Sequence, residues 1–217
     1  MRAMSRTFFA RPGRLLAAAL SVLALGACSV LSPTATPPPA FYSLDSAPAT
    51  APAPTRTAAP TLIINPPRAA AGFDSQRIIY VRESHKLEYF AHSEWVDPPA
   101  RMLGPLLVAA IEQTGAFSAV VLTPGAAGGD LRLDTEIVRL QQEFQTQPSR
   151  VRLTLRAYLV DDKTRRVLAW RQFEAAVDAP SDDPYGGVLA ANRAVQTVLQ
   201  QLAAFCAETV TSATLAK

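Results

Sequence analysis

Histidine and cysteine are scarce in this chain, with two of each among 217 residues. His85 and His92 have only Glu88 near them in sequence as a further ligand, fewer than zinc requires, so no metal site is expected and both read as surface residues of a turn. Ser93, His92 and Asp97 lack the strand-to-helix context of a nucleophile elbow. The Gly128-Gly129 and Gly186-Gly187 pairs come without the lysine or G-x-G-x-x-G spacing of a phosphate loop. Asp161-Asp162 and Asp182-Asp183 read as a turn and a helix cap rather than as paired catalytic carboxylates. Aromatic residues make up 7% of the chain, and no basic stripe runs among them, so a nucleic-acid partner is not expected. No internal repeat is evident. These absences argue against an enzyme and imply no cofactor.

What is present begins at the N-terminus. Arg2, Arg6, Arg11 and Arg14 form a positive region, followed by an apolar run over residues 15–25. That run is shorter than the roughly 20 residues a spanning helix needs, which is the pattern of a secretory signal. It ends on Leu25-Gly26-Ala27-Cys28, with small residues directly before a cysteine. A lipoprotein signal peptidase would cut between Ala27 and Cys28. Cys28 would then be the first mature residue, carrying an S-diacylglyceryl group and an N-acyl chain such as palmitate. Removing residues 1–27 takes four arginines and no acid from a precursor formally at +3, leaving −1. The high isoelectric point of the precursor is therefore no sign of a basic binding surface. With Cys28 lipidated, Cys206 is left without a disulfide partner; among Val195, Val198, Leu199, Leu202 and Phe205 it reads as a small core hydrophobe.

The domain organisation expected is a signal peptide over residues 1–27, a lipidated cysteine with a Pro/Ala/Thr-rich tether over 28–60, and one globular domain over 61–217. Residues 29–60 hold eight of the eighteen prolines and few bulky apolar side chains, so they cannot offset the entropy of ordering. Residues 41–45 (Phe-Tyr-Ser-Leu-Asp) break this composition and read as an edge strand that docks onto the domain.

Within the domain, Leu62-Ile63-Ile64 reads as a short strand stopped by Pro66-Pro67, and residues 77–83 and 86–91 read as a hairpin about Ser84-His85. Asp97 is expected to cap a helix beginning at Pro98, with Met102, Leu103, Leu106, Leu107, Ala110 and Ile111 at helical spacing, an irregularity at Pro105 and an end at Gly115. Residues 117–122 form another strand. Period-two runs then give Leu131-Leu133-Thr135-Ile137, Val151-Leu153-Leu155-Ala157-Leu159 and residues 167–177, with one buried and one wet face and Arg152 and Arg156 across from Asp134 or Glu136. A helix from Asp182-Asp183-Pro184 through Phe205 closes the chain. The fold class is α+β, a two-layer arrangement of a mostly antiparallel or mixed sheet with two main helices on one face. Tyr89, Phe90 and Trp95 can be read as an aromatic surface for a partner or lipid, or, for Trp95, as a core anchor wedging hairpin against helix.

Several stretches together resemble the ABC-type transport auxiliary lipoproteins: Phe41-Tyr42-Ser43-Leu44, Arg77-Ile78-Ile79-Tyr80-Val81-Arg82, Leu87-Glu88-Tyr89-Phe90, Glu94-Trp95-Val96, Met102-Leu103-Gly104-Pro105-Leu106-Leu107, Pro148-Ser149-Arg150-Val151-Arg152-Leu153 and Gly186-Gly187-Val188-Leu189-Ala190-Ala191-Asn192. The likeness covers the mature chain, and its motifs are structural. It implies a lipoprotein working with an ABC permease, an ATPase and a periplasmic MCE-domain protein in moving phospholipids or other hydrophobic compounds, with a homo-oligomer in some members. Ser29, in place of the aspartate that marks inner-membrane retention, points to the periplasmic face of the outer membrane. A lipid carrier with its own cavity, or a structural outer-membrane lipoprotein, are the other readings.

Overall fold

The three period-two runs become the longest strands of the protein. A computed structural model describes residues 38–45, 59–124 and 128–215. The signal segment, Ala27, Cys28 and most of the tether lie outside the described residues. In chain order the strands are β1 (Ala40–Tyr42), β2 (Thr61–Ile64), β3 (Arg68–Ala69), β4 (Arg77–Val81), β5 (Glu88–Trp95), β6 (Ala119–Leu122), β7 (Leu131–Glu143), β8 (Arg150–Asp161) and β9 (Val167–Asp178). The helices are α1 (Pro99–Glu112) and α2 (Pro184–Leu215).

All nine strands belong to one mixed sheet. β7, β8 and β9 form an antiparallel meander. β8 occupies one side of β7, while the other side is shared by three strands in succession. β2 pairs with the start of β7 at Leu131–Leu133, β3 at Glu136 and Ile137, and β4 with its end at Gln142 and Glu143, all parallel. Two wings grow from this divided side: β2 carries β6 in parallel, and β4 carries β5 antiparallel, with β1 parallel beyond it. The docked strand expected at residues 41–45 is therefore present as β1, and the folded body begins well before residue 61.

Alternation sets the faces. Leu131, Leu133, Ile137, Leu153, Leu155, Ala157, Leu159 and Phe173 point to one side, where they share a core with Leu103, Leu107 and Ile111 of α1 and Val195, Val198, Leu202 and Cys206 of α2. The two helices lie on this face, as the sequence pattern requires.

Local chemistry departs from expectation in three places. Pro98, not Asp97, holds the N-cap of α1 and offers no side-chain bond; its carbonyl accepts the Arg101 and Met102 N–H groups at 2.9 and 3.2 Å. Two consecutive prolines push the helix start one residue on, so the Asp97 carboxylate misses the cap and instead accepts from Arg101 at 2.9 Å. Second, α1 continues through Pro105 without interruption. The carbonyl that Pro105 cannot serve belongs to Arg101, which is exposed, so water can satisfy it. Third, Arg156 does face Glu136, but Arg152 lies opposite Gln141, because the β7–β8 register shifts between Ile137 and Arg139. Gly115, at φ +60°, takes the left-handed turn that ends α1, and its N–H bonds the Glu112 carbonyl at 3.1 Å.

Candidate functional site

The N-terminal strand is fastened by side chains as well as by the sheet. β1 pairs Ala40, Phe41 and Tyr42 with Ser93, Glu94 and Trp95 of β5. Beyond it Leu44 is buried in the core. Asn192, in α2, donates from Nδ2 to the Ser43 carbonyl at 3.2 Å and accepts the Asp45 N–H on Oδ1 at 2.7 Å. One carboxamide thus grips a donor and an acceptor two residues apart, reading the backbone of an extended segment. Asn192 Nδ2 also reaches the Val188 carbonyl of its own helix at 3.1 Å, which fixes its orientation. Tyr42 lies 6.3 Å from Tyr185, centroid to centroid. Residues 40–45 are thereby fixed to the helix layer at the end of the β4–β5 wing.

Tyr89, Phe90 and Trp95 occupy three different settings. The β4–β5 register shifts between Arg77 and Ile79, so that Ile79 faces Tyr89 while Arg77 faces Glu94, and the inside-outside alternation of β5 changes phase along its length. Tyr89 is exposed, with the Arg77 guanidinium 4.2 Å from its ring centre. Phe90 is half-buried against Tyr80 at 4.5 Å and Phe144 at 6.4 Å. Trp95 is 3% exposed and belongs to the core. They do not form one surface. His85 and His92 are exposed, His85 in the turn at φ +67°, whereas Ser93 is buried. Among the described residues no three His, Cys, Asp or Glu side chains come together as a metal-binding group.

The sheet face away from the helices is laced with charge. Arg132 bridges Asp134 at 3.2 Å and Asp162 at 3.0 Å, and Arg165 also reaches Asp162 at 3.0 Å. Arg156 meets Glu136 at 3.5 Å. Arg152 holds Glu143 through two bonds at 3.0 and 3.2 Å and also bonds Glu174 across β8–β9. Burial raises the Glu143 carboxyl, but its bonds from Arg152 and Gln141 outweigh that and hold it below the usual range. At one end of this face Trp170 of β9, 62% exposed, stacks on Tyr158 of β8 at 6.3 Å and 26°.

A buried polar cluster joins the β7–β8 turn to α2. Gln142, 2% exposed, donates from Nε2 to Ser149 Oγ at 2.9 Å and to the Asp183 carbonyl at 3.3 Å. The two aspartates before α2 divide their work. Asp183 caps the helix by accepting the Gly186 N–H at 2.7 Å, whereas Asp182 accepts the Ser149 N–H at 2.7 Å, which lowers its carboxyl below the ordinary value. Gly187 is required here, since a Cβ on it would stand 2.2 Å from Gln142 Oε1. The adjacent cavity, lined by Ile78, Trp95, Gln142 and Ala191 among others, measures about 10 Å³, room for one water at most. A wider hollow of about 420 Å³ opens at the surface beside Gly72, Arg77, Glu88 and Tyr89.

Sequence reasoning named Tyr89, Phe90 and Trp95 but missed Asn192, Gln142 and Trp170. For Trp170 a signal existed: it stands at an outward position of an alternating strand. Asn192 and Gln142 act through partners 147 and 41 residues away, which periodicity does not register.

Residues 42–203 match the family model described as ABC-type transport auxiliary lipoprotein component. The crystal structure of protein XCC0632 from Xanthomonas campestris is similar at a TM-score of 0.71 and 24% identity, covering 81% of this chain and 98% of that one. A crystal structure described as an uncharacterized protein gives a TM-score of 0.61 at 13% identity, covering 78% and 99%. Both show the same fold. No curated protein matches.

Proposed function

This chain belongs to the family of ABC-type transport auxiliary lipoprotein components, and we propose that it is the outer-membrane-anchored, periplasmic docking subunit of an MCE-type transporter moving phospholipids or other hydrophobic compounds. It is not an enzyme on this reading: it holds a place between membrane and transporter. Its partners would be the outer membrane, through acyl groups on Cys28, and the MCE-domain protein with its permease and ATPase.

The observation that carries the reading is the fastening of β1. The first described strand after the lipobox and its proline-rich run is hydrogen-bonded into the sheet and gripped by Asn192, so a lipid at Cys28 is coupled to the body of the domain. This also shortens the reach. The chain from Cys28 to Ala40 extends at most about 40 Å, less than the thirty-residue tether read from composition would allow. Two or more acyl chains are needed for firm anchoring, because one alone binds marginally. A self-contained carrier has less support, since the space beneath the helices beside Gln142 is the size of one water.

Two measurements test this. Cys28→Ala should leave the domain folded and release it from membranes; its persistence in the pellet after a carbonate wash would contradict the anchor. Purification of the lipidated protein in mild detergent, followed by mass spectrometry, should recover an MCE-domain protein with permease and ATPase. Recovery of the chain alone with stoichiometric lipid would support a carrier instead.

A further inference from the structure

The hollow of about 420 Å³ lies where the loop over residues 70–76 meets the β4–β5 hairpin, and it is large enough to hold a small molecule. Two backbone features shape it. Gly72, at φ +91°, turns the loop so that a Cβ there would stand 3.4 Å from Leu87 Cδ1. The β4–β5 register shifts between Arg77 and Ile79, and such bulges re-aim side chains beside functional sites. Part of the wall is apolar: Ile79 is buried, while Leu87 (49%) and Tyr89 (51%) stay open to solvent. The rest carries charge, on Asp74, Arg77 and Glu88. Arginines of the β7–β9 face are paired across strands, but none of these three has an ion-pair partner among the described residues. The Arg77 guanidinium rests on the Tyr89 ring, 4.2 Å from its centre, and Lys86 holds Glu83 at 3.6 Å. Glu88 is left without a donor, and its Oε2 is sealed from solvent. A carboxylate oxygen out of water with no hydrogen bond is costly. The last torsion of a glutamate turns easily, so the carboxylate can swing to a donor that enters the hollow.

We propose that this hollow binds a small organic cation, a primary ammonium on an apolar body, with the ammonium bonded to Glu88 and the body against Ile79, Leu87 and Tyr89. Each part of the wall then has a use. An ammonium carries three donors, enough to serve Glu88 and Asp74 together. Arg77, drawn to the Tyr89 ring rather than to either carboxylate, leaves both free for the ligand. Two carboxylates against one guanidinium leave the hollow net negative, so an anion of the same shape is repelled. A quaternary ammonium has the charge but no N–H, and would leave Glu88 without its donor. The inference does not depend on the lipid anchor or the transporter.

The test is calorimetric titration of the full-length lipidated chain, in nonionic detergent, with three probes of similar shape: phenethylammonium, its trimethylammonium analogue and phenylacetate. Phenethylammonium should bind saturably, one per chain, with a dissociation constant of about 1 mM or below. The trimethylammonium analogue should bind about tenfold more weakly, and phenylacetate not at all. Glu88→Gln should weaken phenethylammonium about tenfold and Asp74→Asn about threefold. Glu83→Gln, an exposed acid of the same hairpin outside the hollow, should change nothing. Near-ultraviolet circular dichroism of each variant checks that the domain is folded. No saturable binding, equal binding of the three probes, unchanged affinity in folded Glu88→Gln, or an equal loss in Glu83→Gln would overturn the proposal.

Discussion

Asn192 and Asp45 meet across 147 positions of sequence, the carboxamide oxygen of one accepting the backbone N–H of the other at 2.7 Å. The same side chain donates to Ser43, so one residue of α2 replaces two rungs of a ladder that β1 is too short to supply. Asn192→Ala should therefore loosen the N-terminal strand first. We expect a loss of about 1–2 kcal/mol from two net hydrogen bonds, with amide exchange accelerated at residues 40–45 and unchanged in β7 and β8. Hydrogen exchange read residue by residue checks this; uniform acceleration would mean the contact holds the whole domain.

Gly187→Ala should be destabilising by about 1–3 kcal/mol, since the added carbon must displace a buried side chain. A methyl in that position collides with Gln142 Oε1, not with backbone. Pairing it with Gln142→Ala should therefore cost less than the two single changes summed. Urea denaturation of the four proteins in the cycle decides the point; strict additivity would place the strain elsewhere.

Acid should weaken the fold through its bonded carboxylates. Glu143, Asp182 and Asp130 are all held below their ordinary values, Glu143 by Arg152 against its burial, Asp182 by the Ser149 N–H and Asp130 by the Thr61 N–H. A carboxyl with a lowered folded pKa contributes stability above its unfolded value and loses it as pH falls through the folded one. The urea midpoint should thus be flat near neutrality and fall from about pH 5 downward. Asp182→Asn should flatten part of that slope, and an unchanged slope would remove Asp182 from the account.

Cys206 is fully buried, and burial alone pushes its thiol up to about 12. In a Cys28→Ser chain, native protein at pH 8 should resist thiol reagents and release one equivalent only on unfolding. Rapid labelling of the folded protein would show that α2 opens locally.

Much of this architecture is legible in the sequence, but unevenly. The alternation of β7, β8 and β9 and the spacing in α1 and α2 identify faces correctly, because burial repeats along a single element. Neighbours are another matter. Nothing local in Leu62, Arg68 or Tyr80 says that β2, β3 and β4 share one side of β7. The partner of Arg152 could not be read either: the pairing of β7 with β8 is not local information, and with Arg156 at Glu136 it puts Arg152 near residue 140, which the register shift near Ile137 makes Gln141. Period two also carries no account of which strand ends as an edge, so nothing singled out Trp170 within the run 167–177. Asp97 misled because its cap signal stood before two prolines, and the second of these began the helix.

The parallel docking of β1 on β5 bears on how the protein responds to force. A pull arriving from the N-terminal side reaches Ala40 before any other strand residue, and along the strand axis it loads the β1–β5 bonds in shear, together rather than one at a time. Behind them stand the two Asn192 bonds, seated on a 32-residue helix that packs across β8 and β9. Tension would thus be spread through α2 to the centre of the sheet. If it exceeded the clamp, β1 would slip free, adding six residues of slack up to Asp45, while the meander kept its full set of bonds. The arrangement is that of a fuse: a three-residue strand yields first, drawing Leu44 out with it, and the meander is spared.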